Sequence, residues 1–366
     1  MVSSSAASDV YKRQDLKSVE TGEVTTESYD KLVLSPGAMA VRPPLPGIDL
    51  PGIFHVRTVP DARAIREWVE QGTEFLAGMY KYSGIQFVKP TTRAVVVGGG
   101  FIGLETAENL VHLGFEVTLI QKLPQVLGPL DPEVARLVEE HVKRNGVRIV
   151  LNDGAAEFAQ LDGGAIEVKT LSGKTYPADL VILAIGVRPD TALAESAGLE
   201  IGERGGIRVD EHMRTSDPDI FAVGDAIEIK DWVTGQWSLI ALAGPANRQG
   251  RIAADVIAGR DSSYRGTQGT SIIGLFGGAV AWTGVSEKTL KRTGDEDYEK
   301  IYLFPNSHAG YYPGAKMIGM KVIFRKSDGR LLGAQALGMD GPAVDKRISA
   351  LAMALQMGAT IYDLEE

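Results

Sequence analysis

RAVVVGGGFIGLETAENLVHLGFEVTLIQ, residues 93–121, is the stretch whose reading decides the fold. Residues 94–97 form an apolar, β-branched run of the kind found in a buried parallel strand. Gly98, Gly100 and Gly103 follow directly in G-x-G-x-x-G spacing, with Phe101 and Ile102 between the last two. A helix is expected from there to about Leu113, with Ile102, Ala107, Leu110 and Val111 on one face, ended by Gly114. A second apolar strand over residues 117–120 completes a βαβ unit. Chemistry explains the spacing. Gly98 permits a tight turn out of the strand, Gly100 lets the backbone approach a pyrophosphate, and Gly103 lets helix and strand pack closely. The helix N-terminus adds N–H groups and a partial positive charge for phosphates. The stretch therefore predicts a dinucleotide site, with a purely structural glycine turn as the alternative.

Composition bounds what surrounds it. A chain of 366 residues is long enough for two or three domains with their own cores. A net charge of −9 and a pI near 5.3 argue against nucleic acid or an anionic membrane surface as partner. No apolar run approaches the length of a transmembrane helix, and the expected location is cytoplasmic. The sequence contains no cysteine. That removes disulfides, thiolate metal sites and a cysteine nucleophile, and no metal site is expected.

Outward from residues 93–121, the N-terminal MVSSSAASDVYKRQ (1–14) has no apolar period and reads as a non-native or disordered leader. YDKLVLSPG (29–37) predicts a strand at 31–34 ending in a turn, and VRPPLPG (41–47) a linker. A short helix is expected at 61–71, with Ala62, Ile65, Trp68 and Val69 inward, and an inserted loop at 74–89. Asp131-Pro132-Glu133 has the form of a helix start, an N-cap acid followed by proline. Val134, Leu137, Val138, His141 and Val142 then fall at helical spacing, so His141 reads as a packed histidine. A parallel strand at 147–151 and an antiparallel meander of 166–169, 174–176 and 180–185 follow. Another strand, 220–223, ends at Gly224-Asp225, and a helix is expected between Pro245 and Gly259. Beyond residue 264 the texture changes to short strands (271–276, 300–304, 317–324, 331–337) and a helix (344–357).

Four motifs, YDKLVLSPG, VVVGGGFIGLE, AIGVRPD and TSDPDIFAVGD, occur in an order and spacing that resemble the pyridine nucleotide-disulfide oxidoreductase family over residues 20–366. LAGPANRQGR, YRGTQGTS and HAGYYPGA are similar to its branch of coenzyme A-disulfide reductases and NADH oxidases. The resemblance implies an α/β fold with two nucleotide-binding three-layer domains, the FAD part incomplete and the NAD(P) part complete, plus a C-terminal α+β dimerisation domain. It divides the chain into 15–57 and 188–261 (FAD), 58–187 (NAD(P)) and 262–366 (dimerisation, truncated at its end). The implied reaction passes hydride from NAD(P)H through flavin to a disulfide such as coenzyme A disulfide, in a homodimer. An NADH oxidase or peroxidase ending at oxygen or peroxide is the alternative, and a non-catalytic nucleotide-binding fragment another.

Residue by residue, the resemblance places Ser35, Pro36, Gly37, Gly224, Asp225 and Ala243 at the flavin, with Asp225 toward ribityl hydroxyls. By itself Asp225 also reads as a turn cap. It places Glu105 near the nicotinamide, where an acid early in a helix otherwise complements the dipole. Gly186 joins the NAD(P) site, and Tyr311 and Tyr312 reach the partner's reaction centre. His308 reads as structural. Gln121 and Lys122 stand where an acid would hold the NAD ribose. Gln121 can still bond the hydroxyls and Lys122 can meet a 2′-phosphate, so the choice between NADH and NADPH stays open. Missing are the family's first G-x-G-x-x-G and its redox cysteine. The chain is therefore expected to be a fragment, inactive as it stands.

Overall fold

The apolar run ahead of Gly98 is the middle strand of a five-stranded parallel sheet. Its order is Ile53–His55, Leu180–Leu183, Thr92–Val97, Phe115–Gln121, Arg148–Leu151. In this computed structural model the described residues are 3–5, 12–81, 92–162, 164–339 and 341–365. Alternation along Thr92–Val97 sorts its side chains to two faces. Ala94 and Val96 join a core with Leu104, Ala107 and Leu110 of the Phe101–His112 helix and Val134, Val138 and Val142 of the Pro132–Arg144 helix. Val95 and Val97 face Phe158, Ile166, Val168 and Tyr176. Helices, parallel sheet and a three-stranded antiparallel sheet thus make three layers.

The meander differs from its sequence reading. Its strands are Ala155–Gln160, Ile166–Thr170 and Thr175–Ala178. Residues 180–183 leave it and pair with Ala94–Val97 in the parallel sheet. Every residue of Leu180–Leu183 is buried, as a strand covered on both faces requires. The first helix also differs, running Val59–Lys81 rather than 61–71. Its later residues include the good helix formers Leu, Ala, Met and Lys, and they absorb much of the expected 74–89 loop. Positions 82–89 of that loop lie outside the described residues.

Residues 40–186 and 271–366 form one compact unit. Its C-terminal part is an antiparallel sheet ordered Ser271–Leu275, Gly278–Gly284, Leu331–Gly338, Ile318–Arg325, Tyr298–Leu303, against which the Gly341–Gln356 helix packs. The Gly278–Gly284 strand is absent from the sequence reading because its hairpin turn is Phe276-Gly277. Both residues have positive φ (47° and 75°), as a two-residue turn demands, yet phenylalanine is an unusual occupant. Glu108 accepts the Phe276 N–H at 2.7 Å, and the rings of His112 and His141 stand edge-on to Phe276. His141 also bonds the Leu275 carbonyl at 2.9 Å, so it packs as read.

Residues 1–39 and 187–270 form the other unit. Leu32–Leu34 pairs in parallel with Ile220–Ala222. Leu34, Ile207, Phe221, Ala226, Ile252 and Ala253 lie in its core. Arg13 and Gln14, set aside as leader, lie in strand Arg13–Lys17, which pairs with Val24–Ser28 and with Ser3–Ser5. The Val24–Ser28 strand is wholly exposed and largely polar, which is why no apolar period announced it.

Within the larger unit a lysine is buried among carboxylates. Lys321 is fully buried, with its ammonium on Asp131 (2.8 Å), Glu133 and Glu287. Asp131 has the backbone of an N-cap, but its carboxylate does not cap its own helix. It accepts instead from the N–H groups of Glu287 (3.2 Å) and Lys288 (3.3 Å) and from Gln335 Nε2 (2.7 Å). Burial alone would lower the Lys321 pKa, but its hydrogen-bonded carboxylates outweigh burial and hold it above the ordinary lysine range. Burial works against Glu133 too, and its bonds from Lys321 and Tyr302 still bring it from 4.5 to about 2. Removing one partner of such a set leaves uncompensated buried charge. Lys321→Met should therefore cost about 3–5 kcal/mol in urea unfolding. Because the folded pKa of Glu133 is depressed, its contribution is complete above pH 4.5 and is lost as pH falls toward 2. Glu133→Gln should lower stability at neutral pH and flatten the acid limb of the stability–pH curve. A variant curve parallel to that of the parent would contradict this.

Candidate functional site

Gly98 leaves its strand with φ +114°, and a Cβ there would lie 2.1 Å from the Ala184 carbonyl oxygen. Its N–H donates to Ile120 O at 2.8 Å. A Cβ on Gly103 would lie 1.9 Å from Gly98 O. No side chain larger than hydrogen fits at either position, so helix and strand meet backbone to backbone. Gly100 is different. A Cβ there would meet nothing within 4 Å, and Gly100 is the N-cap of the Phe101–His112 helix, which no side chain caps. Two glycines thus close the turn and the third leaves open space at a positive helix end. That is the shape a pyrophosphate needs, and it is the test by which a dinucleotide fits.

Neighbouring residues converge on the same sheet edge. Gln121 ends the adjacent strand, and its Cγ would lie 3.4 Å from a Cβ on Gly99. Gln121 Nε2 donates to Gln125 O at 3.2 Å, which limits its freedom to turn outward, whereas Lys122 is exposed. Gly186 follows the Leu180–Leu183 strand on the other side with φ +109°, and open space lies where its Cβ would be. Glu105 falls in the helix's second turn, beyond the reach of dipole complementation. Burial first and Glu108 second push its carboxyl upward, an effect moderated by its exposed side chain.

The smaller unit repeats the device. Leu32–Leu34 and Ile220–Ala222 end side by side, so Ser35 and Gly224 emerge at one edge. Gly224 turns with φ +81°, and a Cβ there would lie 3.9 Å from Ser35 Oγ and 3.8 Å from Ala246 Cβ. Asp225 follows in a short 3-10 turn, partly buried. Ala243 begins the Ala243–Ile257 helix that abuts this turn. Gln249, buried, accepts the Gly224 N–H through Oε1 at 2.8 Å and ties turn to helix. Gln249 is not among the residues expected from sequence, and its place on the inner face, four residues after Pro245, is the signal that marks it. Gly37 turns with φ +77° and accepts from Asp190 N at 3.0 Å; Pro36 beside it is exposed. Ser35, Gly224, Asp225 and the Ala243 helix start are thus brought together.

Tyr311 and Tyr312 are not gathered into either turn. They stand 89% and 67% exposed, with the His308 ring edge-on to Tyr312 at 6.2 Å. A cation site is arranged by Asp131, Glu133 and Glu287, but the Lys321 ammonium already sits among them.

Comparison with known proteins finds relatives over most of the chain. The model of the pyridine nucleotide-disulphide oxidoreductase family matches residues 2–250, and that of the family's dimerisation domain matches residues 273–366. An NADH oxidase of Methanocaldococcus jannaschii is 34% identical over 348 residues, covering 94% of this chain and 72% of the relative. A coenzyme A disulfide reductase of Staphylococcus epidermidis is 30% identical, covering 95% and 73%. The crystal structure of reduced Bacillus anthracis CoADR-RHD superposes with a TM-score of 0.90 at 44% identity, over 99% of this chain and 61% of that one. The chain thus spans less than two thirds of that protein's length and about three quarters of the two relatives. It belongs to the pyridine nucleotide-disulphide oxidoreductase family.

Proposed function

We propose that the chain serves an FAD-dependent NAD(P)H oxidoreductase reaction most like that of coenzyme A disulfide reductases, in which hydride passes from NAD(P)H by way of flavin to a disulfide. The observation that carries this is the open Gly100 between the close-packed Gly98 and Gly103. In this reading Gly98–Gly103 hold the NAD(P)H pyrophosphate, Gln121 and Lys122 meet the adenosine ribose, and Glu105 and Gly186 border the nicotinamide end. Ser35, Pro36, Gly37, Gly224, Asp225 and Ala243 hold the flavin, with the helix dipole aimed at it. Held by these residues, FAD would supply the hydride-accepting redox chemistry. In this reading residues 58–187 make up the NAD(P) domain, joined by the Ile53–His55 strand that pairs into its sheet, the rest of 15–57 with 188–261 the flavin domain, and 262–366 the dimerisation domain. The M. jannaschii relative's name favours a second reading, with oxygen or peroxide as acceptor.

Thiol–disulfide exchange needs a thiolate, and the chain contains no cysteine. The residues present bind and orient; the sulfur step lies outside them. Among the described residues no helix is long and apolar enough to cross a membrane, and a cytoplasmic homodimer joined through the C-terminal sheet fits this reading.

Three outcomes test it. Gly100→Ala should leave the thermal midpoint of the free chain unchanged yet weaken NADH and NADPH binding on the order of tenfold in a fluorescence titration, one charged hydrogen bond's worth. Unweakened binding of both would remove the pyrophosphate from this turn. Light scattering should report a dimer at micromolar concentration, with an interface on the order of 2,000 Å²; a monomer throughout would contradict the assembly. The 366-residue chain should release no thiol from coenzyme A disulfide with NADPH present, and steady release would show an acceptor chemistry without cysteine.

A further inference from the structure

The segment 122–130 leaves the strand that carries Gln121 and runs behind the glycine turn. Leu127 N–H donates to Gly99 O at 2.8 Å, and a Cβ on Gly99 would lie 3.0 Å from Val126 Cγ1. Gln125, buried, gathers the segment inward, its Nε2 donating to Leu130 O at 2.9 Å. Glu139 accepts the Val126 N–H at 3.2 Å. The far end is held by the C-terminal part of the same unit. Lys288 Nζ donates to Gly128 O at 2.7 Å, and Asp131 takes the N–H groups of Glu287 and Lys288 together with the ammonium of Lys321. An unbroken series of contacts therefore runs from the Ile318–Arg325 strand to Gly99.

We propose that this buried ion cluster is a positioning anchor for the glycine turn: Asp131 and Lys288 fix segment 122–130, which in turn fixes Gly99 beside the bound coenzyme. The coenzyme half of the inference rests on the reading of the turn given above. The physical reason is pre-organisation. The turn's own glycines have no side chains to hold them, so an unsupported loop would lose conformational freedom each time a ligand bound. Rigid support from a neighbouring sheet removes that cost in advance. Lys300 supplies the contrast. It pairs with the same Glu287 at 2.7 Å but no bond joins it to the segment.

The test compares Lys288→Ala, Asp131→Asn and Lys300→Met in the full chain by hydrogen exchange at the Val126 and Leu127 amides and by NADPH titration. The first two should speed exchange at both amides and raise the coenzyme Kd roughly threefold to tenfold. Lys288→Arg, which keeps a donor, should restore both, and Lys300→Met should change neither even where it lowers the thermal midpoint. Unchanged exchange in Lys288→Ala and Asp131→Asn would overturn the anchor. So would a Kd that follows the thermal midpoint across all variants, Lys300→Met included, because that marks a merely structural cluster. A parent chain that binds neither NADH nor NADPH, with the exchange pattern as expected, would overturn the coenzyme reading and leave the anchor standing.

Discussion

The larger unit depends on one close approach. Where Gly103 meets Gly98, the backbone of a helix start lies against the end of a strand with no side chain between, and Gly98 in turn lies against the Ala184 backbone at the end of the neighbouring strand. Any Cβ at these points would overlap a carbonyl oxygen that belongs to the backbone. The Phe101–His112 helix is therefore placed by contact rather than by loop length. Its inner residues Leu104, Ala107 and Leu110 then fall onto Ala94 and Val96. Burial of such apolar surface, at roughly 25 cal/mol per Å², supplies most of the driving force, while the glycines decide where that force is spent.

Charge does different work. The set formed by Lys321 with Asp131, Glu133 and Glu287 gains little net stability over an apolar replacement of the whole set, since desolvating its buried charges offsets much of their attraction. What the cluster does supply is direction. Each carboxylate is held by hydrogen bonds of fixed geometry, so the Pro132–Arg144 helix can meet the C-terminal sheet in one register only. The smaller unit shows the same economy. Glu228, fully buried, accepts from the Arg204 and Gly206 N–H groups and lies 3.4 Å from Arg208, which stacks on Trp237 at 3.9 Å. There the Gly202–Gly206 turn wraps the carboxylate, and a Cβ on Gly202 would fall 2.2 Å from it.

These two kinds of constraint also explain what could be read from sequence. Gly98, Gly100 and Gly103 were legible because steric necessity leaves a spacing. The Pro132–Arg144 helix was legible because its apolar stripe has a period. Asp131 gave a misleading signal: its D-P-E context reads as a cap for its own helix, yet its carboxylate serves a helix some 156 residues away. Lys321 gave none, since a buried lysine in strand Ile318–Arg325 looks like any polar residue on an alternating strand. The sequence of Leu180–Leu183 suits the meander as well as the parallel sheet it joins, because an apolar run states that it is buried and not which neighbour buries it. Gly278–Gly284 escaped because glycines bound it and phenylalanine fills its turn, a place held by Glu108 through space.

Gly98 and Gly224 stand at the ends of parallel strands in different units, each with positive φ and each against a helix start. They are supported in unlike ways. Gly98 is fixed by main-chain contacts to Ile120 and by the fit of Gly103, so the shape of this turn is set by backbone alone. Gly224 is fixed by a side chain, the buried Gln249, whose amide is polar and can be reoriented. The turn that bears Asp225 is thus tied to a helix through this side-chain hydrogen bond. A group binding there feels the helix dipole and the Gln249 tether together. On the proposed function, the first turn would meet its coenzyme through backbone alone, and the second through a backbone whose position a side chain sets.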